Sequence, residues 1–409
     1  MQEKELLKKY ITSARKEIIE FQRLLTSIPA ISPDSGGKGE YAKAKALETW
    51  LAAKKVGKPK WYNAEDTRAE KRVRPNMVFE IPGKKHDRTF WIMSHIDIVP
   101  PGEISLWKSD PYTLRVEKNM IYGRGVEDNQ QGLTASVFAA LSLMENNITP
   151  EYDVKLLFVA DEEMGSDYGI KFLIEKYNLF KKDDFVLVPD SGDKSSTLIE
   201  IAEKNLLWLK ITTLGKQCHA SRPDLGINAF AVSAELIHEL AEFEKNIGDH
   251  DPIFDPPKTT ITPTKKEANV PNINTIPGED VFYLDCRILP STGADKILGG
   301  IKKVIGKIEK KHKAKIKCEI VQKVSSLATS QKSLIVSLLK KGIKEVYGRK
   351  AKVIGIGGGT VAAFLRNKGI DAVVWSSIDE TAHMPNEYCN LDQLEGDAVI
   401  MAYLMAGCL

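Results

Sequence analysis

The chain has no CxxC pair, almost no surplus of either charge, and no long apolar run. Its five cysteines, Cys218, Cys286, Cys318, Cys389 and Cys408, are odd in number and scattered. That argues against a disulfide framework or a cysteine zinc finger, and a reducing, cytoplasmic setting is expected. Basic residues number 58 and acidic residues 55, for a net charge of +3. Such balance gives no electrostatic case for nucleic acid or an anionic membrane surface. No uninterrupted apolar run reaches about 18 residues, so no membrane span is expected. The opening MQEKELLKKYITSARKEIIEF is charged from the start and lacks the apolar centre of a signal peptide. What is present is 409 residues, 43% of them apolar. That is ample for a core and long for one small domain, so two domains are expected.

Apolar periodicity predicts a helix over 4–28 and another around 41–54. Strands at 76–81, 89–93, 154–160 and 185–188 alternate with helices at 132–145 and 168–177. That order predicts an α/β fold with a doubly wound, mostly parallel sheet. From Asn205 the pattern changes. NLLWLKITTL alternates apolar and polar, and the order β-α-β-β-α-β follows to residue 324, a ferredoxin-like α+β arrangement. Residues 205–324 therefore read as a domain inserted into a discontinuous one made of 1–204 and 325–409. The α/β pattern resumes with a helix at 332–347, a strand at 372–376 and a helix at 391–405.

Metal-competent side chains recur just beyond the apolar runs. SHID offers His95 and Asp97, with the carboxylate placed to fix the imidazole tautomer. YGRGVEDNQQG offers Asp128, where an N-cap aspartate is the competing reading. DEEMGS follows VKLLFVA, and adjacent acids at a buried strand end cost much desolvation unless a cation compensates. One of them, Glu163, suits ligation, and Glu162 suits taking a proton from water. VLVPDSG adds Asp190, and ETAHMPNEY adds His383. Open α/β sheets build their sites beyond the carboxyl ends of their strands. His86, His238, His250 and His312 lie in polar or helical surroundings and receive no role.

Taken together, SHIDIVPPG, YGRGVEDNQQG, DEEMGS, GKQCHASRPDLGINA, NTIPGEDVFYLDCRILP and HMPNEY resemble, in order and spacing, a known family. It is that of the co-catalytic zinc amidohydrolases, which include glutamate carboxypeptidase, acetylornithine deacetylase, succinyl-diaminopimelate desuccinylase and aminoacylase. The resemblance implies two divalent metal ions, zinc first, with cobalt or manganese as alternatives. It implies that Asp128 bridges them, that His95 and Asp190 complete one ligand set, and that Glu163 and His383 complete the other. It further implies that Asp97 orients His95 and that Glu162 is the general base. His219 would reach into a partner subunit's site, Arg287 would hold a substrate carboxylate, and Asn274 would contact substrate. The inserted domain would mediate a homodimer.

The implied reaction cleaves an amide or peptide bond next to an amino acid with a free carboxylate. Its substrate is an N-acyl amino acid or a short peptide. The bridging-Asp segment reads NQQG where the family usually has Lys-Gly. KKEANVP before Asn274 lacks the usual double glycine, and IGGGTVAAF lacks the acidic residue of many relatives. Two other readings stand beside this one: an aminopeptidase of the same fold, and a metal-binding scaffold without catalysis.

Overall fold

The strand runs that predict a sheet are apolar almost without interruption, which is how strands covered on both faces read. The computed structural model, which describes residues 2–409, bears this out. Those residues divide into two compact units. The first takes the chain up to Ile201 together with Thr329–Ile354 and Phe364–Leu409. The second takes Ala202–Ala328 and Gly355–Ala363.

An eight-stranded sheet, in the first unit except for the last residues of its final two strands, runs Lys60–Glu65, Val73–Ile81, Tyr152–Val159, Lys85–His95, Phe185–Gly192, Asp371–Ser376, Leu198–Glu203, Lys352–Ile356. The four strands from Tyr152–Val159 to Asp371–Ser376 pair in parallel. Antiparallel partners flank them on both sides. Trp91, Ile92, Leu156, Phe158, Leu187 and Val374 are fully or almost fully buried in this sheet. At roughly 1.5–3 kcal/mol for each large apolar side chain, these runs anchor the strand ends in fixed positions. The helix Gln130–Glu145 is buried from Gln130 to Leu143 and packs on Leu391–Ala406 and on Lys85–His95. It is apolar around most of its circumference, as a helix inside the core must be.

The single helix expected over 4–28 is two, Gln2–Ser13 and Arg15–Thr26. The break follows Thr12 and Ser13, whose hydroxyls donate back to the carbonyls of Lys8, Lys9 and Tyr10. Such bonds compete with the helix ladder. The helix expected from Gly132 begins two residues earlier, at Gln130.

The second unit is a four-stranded antiparallel sheet in the order Thr260–Lys266, Glu279–Ile288, Asn205–Leu214, Lys315–Val324. The helices Ala229–Lys245 and Ala294–His312 cover one face. Leu209, Ile211, Leu236, Phe282, Leu284 and Ile301 form the core between them. This is the expected β-α-β-β-α-β order. Among the described residues no helix is long and apolar enough to cross a membrane.

Candidate metal centre

The parallel strands of the first unit all deliver acids or imidazoles at their carboxyl ends. His95 closes Lys85–His95, and Asp190 lies near the end of Phe185–Gly192. Glu162 and Glu163 open the turn after Tyr152–Val159. Asp128 stands just ahead of the helix Gln130–Glu145. His383 lies in the irregular segment after Asp371–Ser376, with a left-handed backbone at φ 63°.

Asp128 is two-sided. Its Oδ1 lies 2.9 Å from His95 Nε2, and its Oδ2 lies 3.1 Å from His383 Nε2. His95 Nε2 is also 3.4 Å from Asp190 Oδ1, and His383 Nε2 is 3.0 Å from Glu163 Oε2. Donor atoms of His95, Asp128 and Glu163 lie within 4.8 Å of one another, as do those of His95, Glu162 and Asp190. A capping role for Asp128 does not arise, because Asn129 occupies the cap position. The Asn129 Nδ2 donates instead to Pro189 O and Asp190 Oδ1, each at 2.6 Å, tying the helix start to the neighbouring strand.

The electrostatics follow from burial and crowding. Burial alone would raise the Asp128 carboxyl, but hydrogen bonds from His383 and His95 hold it well below the usual carboxylate range. His95 is fully buried, which would lower its pKa. The charge of Asp190 and the hydrogen bond with Asp128 outweigh that and raise it well above normal. The hydrogen bond to Asp128 is the main cause that pushes His383 up to about 9. Burial, with the nearby Asp190 charge, pushes Glu162 well above a normal glutamate. Burial, with Asp128, pushes Glu163 to about 7. Five acids and two imidazoles crowded in this way call for a cation. The donors are imidazole nitrogens and carboxylate oxygens throughout, so the set fits a divalent transition metal.

Asp97 has a role the sequence reading did not give it. His95 Nδ1 faces the Asp97 carbonyl at 3.0 Å, with Asp97 Oδ1 at 3.4 Å. The Asp97 carboxylate accepts the backbone N–H groups of Glu162 and Glu163, so it also holds the turn that carries both glutamates. The same turn is held from behind. Asp161, at φ 65°, accepts from Arg74 Nη2 at 2.9 Å, and Arg74 is itself paired with Glu40, all three buried.

Two further acids escaped the sequence reading. Glu387 Oε1 accepts the N–H of Glu127 and of Asp128 at 2.9 and 3.1 Å. Its Oε2 accepts from Gly125 N and Arg124 Nη1 at 2.9 and 2.7 Å. Glu127 in turn accepts from Asp379 N at 2.6 Å, and from Thr381 N and Oγ1 at 2.5 and 2.8 Å. Their sequence signal is only position: Glu127 immediately precedes Asp128, and Glu387 ends HMPNE.

A model of the peptidase family M20/M25/M40 matches residues 91–407. The chain belongs to this family. A metallohydrolase of Methanocaldococcus jannaschii, described as uncharacterized, is 41% identical over 400 residues, covering 93% of this chain and 96% of that one. A succinyl-diaminopimelate desuccinylase of Nitratiruptor sp. is 24% identical, covering 93% and 96%. Among solved structures, aminopeptidase PepT from Bacillus cereus aligns with a TM-score of 0.75 at 18% identity, covering 96% and 98%. An M20 family metallo-carboxypeptidase from Sulfolobus solfataricus aligns with a TM-score of 0.66 at 22% identity, covering 96% and 100%. The resemblance read from the sequence and the expected fold class are thus borne out, and the chain is an M20-family metallohydrolase.

The other residues singled out from the sequence lie in the second unit. His219 is exposed, and its Nδ1 accepts the Ser221 N–H at 3.1 Å and faces Ser221 Oγ at 2.8 Å. With Nδ1 accepting, Nε2 is the nitrogen that carries the proton. Arg287 has its fork engaged: Nε and Nη2 donate to Asp285, and Nη1 donates to Gly357 O. Asn274 lies on an exposed loop, and its carbonyl accepts the Ala220 N–H at 2.9 Å.

Proposed function

We propose that this chain hydrolyses an amide or peptide bond next to an amino acid that keeps a free carboxylate. It would act as an N-acyl amino acid deacylase, a dipeptidase or a carboxypeptidase. The observation that carries this reading is the two-sided Asp128, with a different imidazole at each oxygen and with Asp190 and Glu163 beyond them. In this reading Asp128 would bridge two divalent ions. His95 and Asp190 complete one ligand set, and Glu163 and His383 complete the other, with zinc the first choice and cobalt or manganese able to substitute. Bound ions of this kind lower the pKa of water and polarise a carbonyl.

The chain's own residues do the rest. Glu162 takes the proton of the attacking water and later delivers it to the leaving nitrogen. A carboxylate with a raised pKa suits both duties. Asp97 keeps Glu162 and Glu163 in register through their backbone N–H groups. His219 donates from Nε2 to the carbonyl oxygen as that oxygen gains charge. His219 serves the site of a second copy, so the working form is a homodimer joined through the second unit. Arg287 and Asn274 complete the substrate contacts.

The engaged fork of Arg287 favours a second reading. An arginine already paired with Asp285 has fewer donors for a substrate carboxylate, and an aminopeptidase would recognise a free amine instead. A substrate panel separates the two. N-acetyl amino acids and unblocked di- and tripeptides are incubated with protein stripped by a chelator and reloaded with Zn²⁺, Co²⁺ or Mn²⁺. Turnover of blocked amino acids, lost on stripping and restored on loading, is expected. Turnover of the unblocked peptides alone would leave a dipeptidase and the second reading. The same peptides with an amidated C-terminus separate these, since only an aminopeptidase cleaves those. Inactivity on every class would leave a scaffold.

A further inference from the structure

We infer that Glu127 and Glu387 are positioning residues whose carboxylates lock the Asp128 loop and the His383 loop to each other, fixing the distance between the two proposed metal ligands. The inference rests on the dinuclear reading above. His95 and Asp190 stand on strands buried in the sheet, so their positions come with the fold. Asp128 and His383 do not. One sits in a turn ahead of a helix, and the other sits in an irregular segment with a left-handed backbone. Irregular segments open more easily than sheet strands, yet metal ligands must be held to about 0.5 Å.

The two acids supply what the backbone lacks. Glu127 lies in the Asp128 loop, and its carboxylate accepts two N–H groups and a hydroxyl from residues 379–381, just before His383. Glu387 lies four residues after His383, and its carboxylate accepts N–H groups of Gly125, Glu127 and Asp128, with Arg124 beside them. Each loop thus carries the clamp for the other. The bonds are charge-assisted, roughly twice as strong as neutral ones, and both acids are buried. A glutamine keeps the shape but turns an NH₂ group towards backbone donors, so the bond becomes a repulsion.

The two substitutions should differ. Glu127→Gln frees the His383 side and should weaken one ion, because His95, Asp190 and Asp128 stay held. Glu387→Gln frees the bridging Asp128 and should weaken both. The test is titration of the metal-free protein with Co²⁺, followed by calorimetry and by the visible absorption of the bound ion. Wild type should bind two ions. E127Q should keep the tighter one unchanged and lose about 10–100-fold on the other, as loss of an outer support typically costs. Thr381→Val removes one donor to Glu127 without changing charge, and should weaken the same ion by less. It keeps the test open if E127Q does not fold. E127Q and T381V that bind both ions like wild type would overturn the inference, and so would equal weakening of both ions in E127Q. A wild type that binds fewer than two ions would instead sink the dinuclear reading.

Discussion

Glu162 illustrates how one residue's meaning depends on what surrounds it. Its donor atoms lie within 4.8 Å of His95 and Asp190, so ligation and proton transfer are both within its reach. Glu162→Ala decides between them. As the general base it should lose roughly two or more decades of kcat while metal content stays at the wild-type value. Loss of an ion from that variant, measured by elemental analysis, would make Glu162 a ligand. At this scale most of the proposed ligands were legible because an apolar run ends shortly before them, whereas Asp128 precedes a helix, where a cap competes, and stood out only as part of the set. Glu127 and Glu387 were not legible. Their partners are mostly backbone N–H groups, which leave no mark in the side-chain sequence, and Glu127, an acid beside another acid, reads as part of a solvated loop.

At the scale of elements, the site depends on how closely the helix Gln130–Glu145 meets the strand Phe185–Gly192. Gly132 sits at that contact, where an added Cβ would lie 2.2 Å from the Pro189 carbonyl oxygen. The carbonyl is backbone and cannot rotate away, so the strand end must move. Gly132→Ala should destabilise the fold by roughly 1–3 kcal/mol and displace Asp190, its neighbour on that strand. Thermal unfolding and Co²⁺ titration read the two effects, and an unchanged melting temperature would contradict the close approach. Sequence periodicity located most of the central strands and the two core helices, because length and apolar content set them. It missed the flanking strands Lys60–Glu65, Leu198–Glu203 and Lys352–Ile356. These are short, and neighbours rather than their own pattern place them. It also missed the break at Ala14, which comes from hydroxyls bonding backward rather than from any loss of apolar spacing.

For the molecule as a whole, stability should carry the imprint of a buried carboxyl far from a charge partner. Asp397, in the helix Leu391–Ala406, is fully buried and accepts from Tyr347 Oη and from Ser377 N and Oγ. Burial pushes its pKa up to about 6. Between about pH 4 and 6 the folded protein therefore keeps a proton that the unfolded chain has released. Folding stability from this group falls as pH rises through that window and levels off above it, by roughly 3 kcal/mol at most. Asp397→Asn should flatten the slope of unfolding free energy across pH 4–6. A slope identical to wild type would show that the carboxyl ionises freely in the fold. The change of pattern near Asn205 showed in the alternating apolar runs, but nothing in the sequence marked Gly355–Ala363, which belongs to the second unit. How Arg287 spends its donors was not legible, since Asp285 and Gly357 meet it only after folding.

The two imidazoles at Asp128 differ in access: the His95 side chain is 1% exposed, and that of His383 is 55%. In the proposed dinuclear site, an ion on the inner side would leave only when the sheet's end opens, whereas its neighbour would trade with the surrounding solution. Purified protein should then arrive half-charged, and its rate would follow the free metal in the medium as a gauge follows pressure.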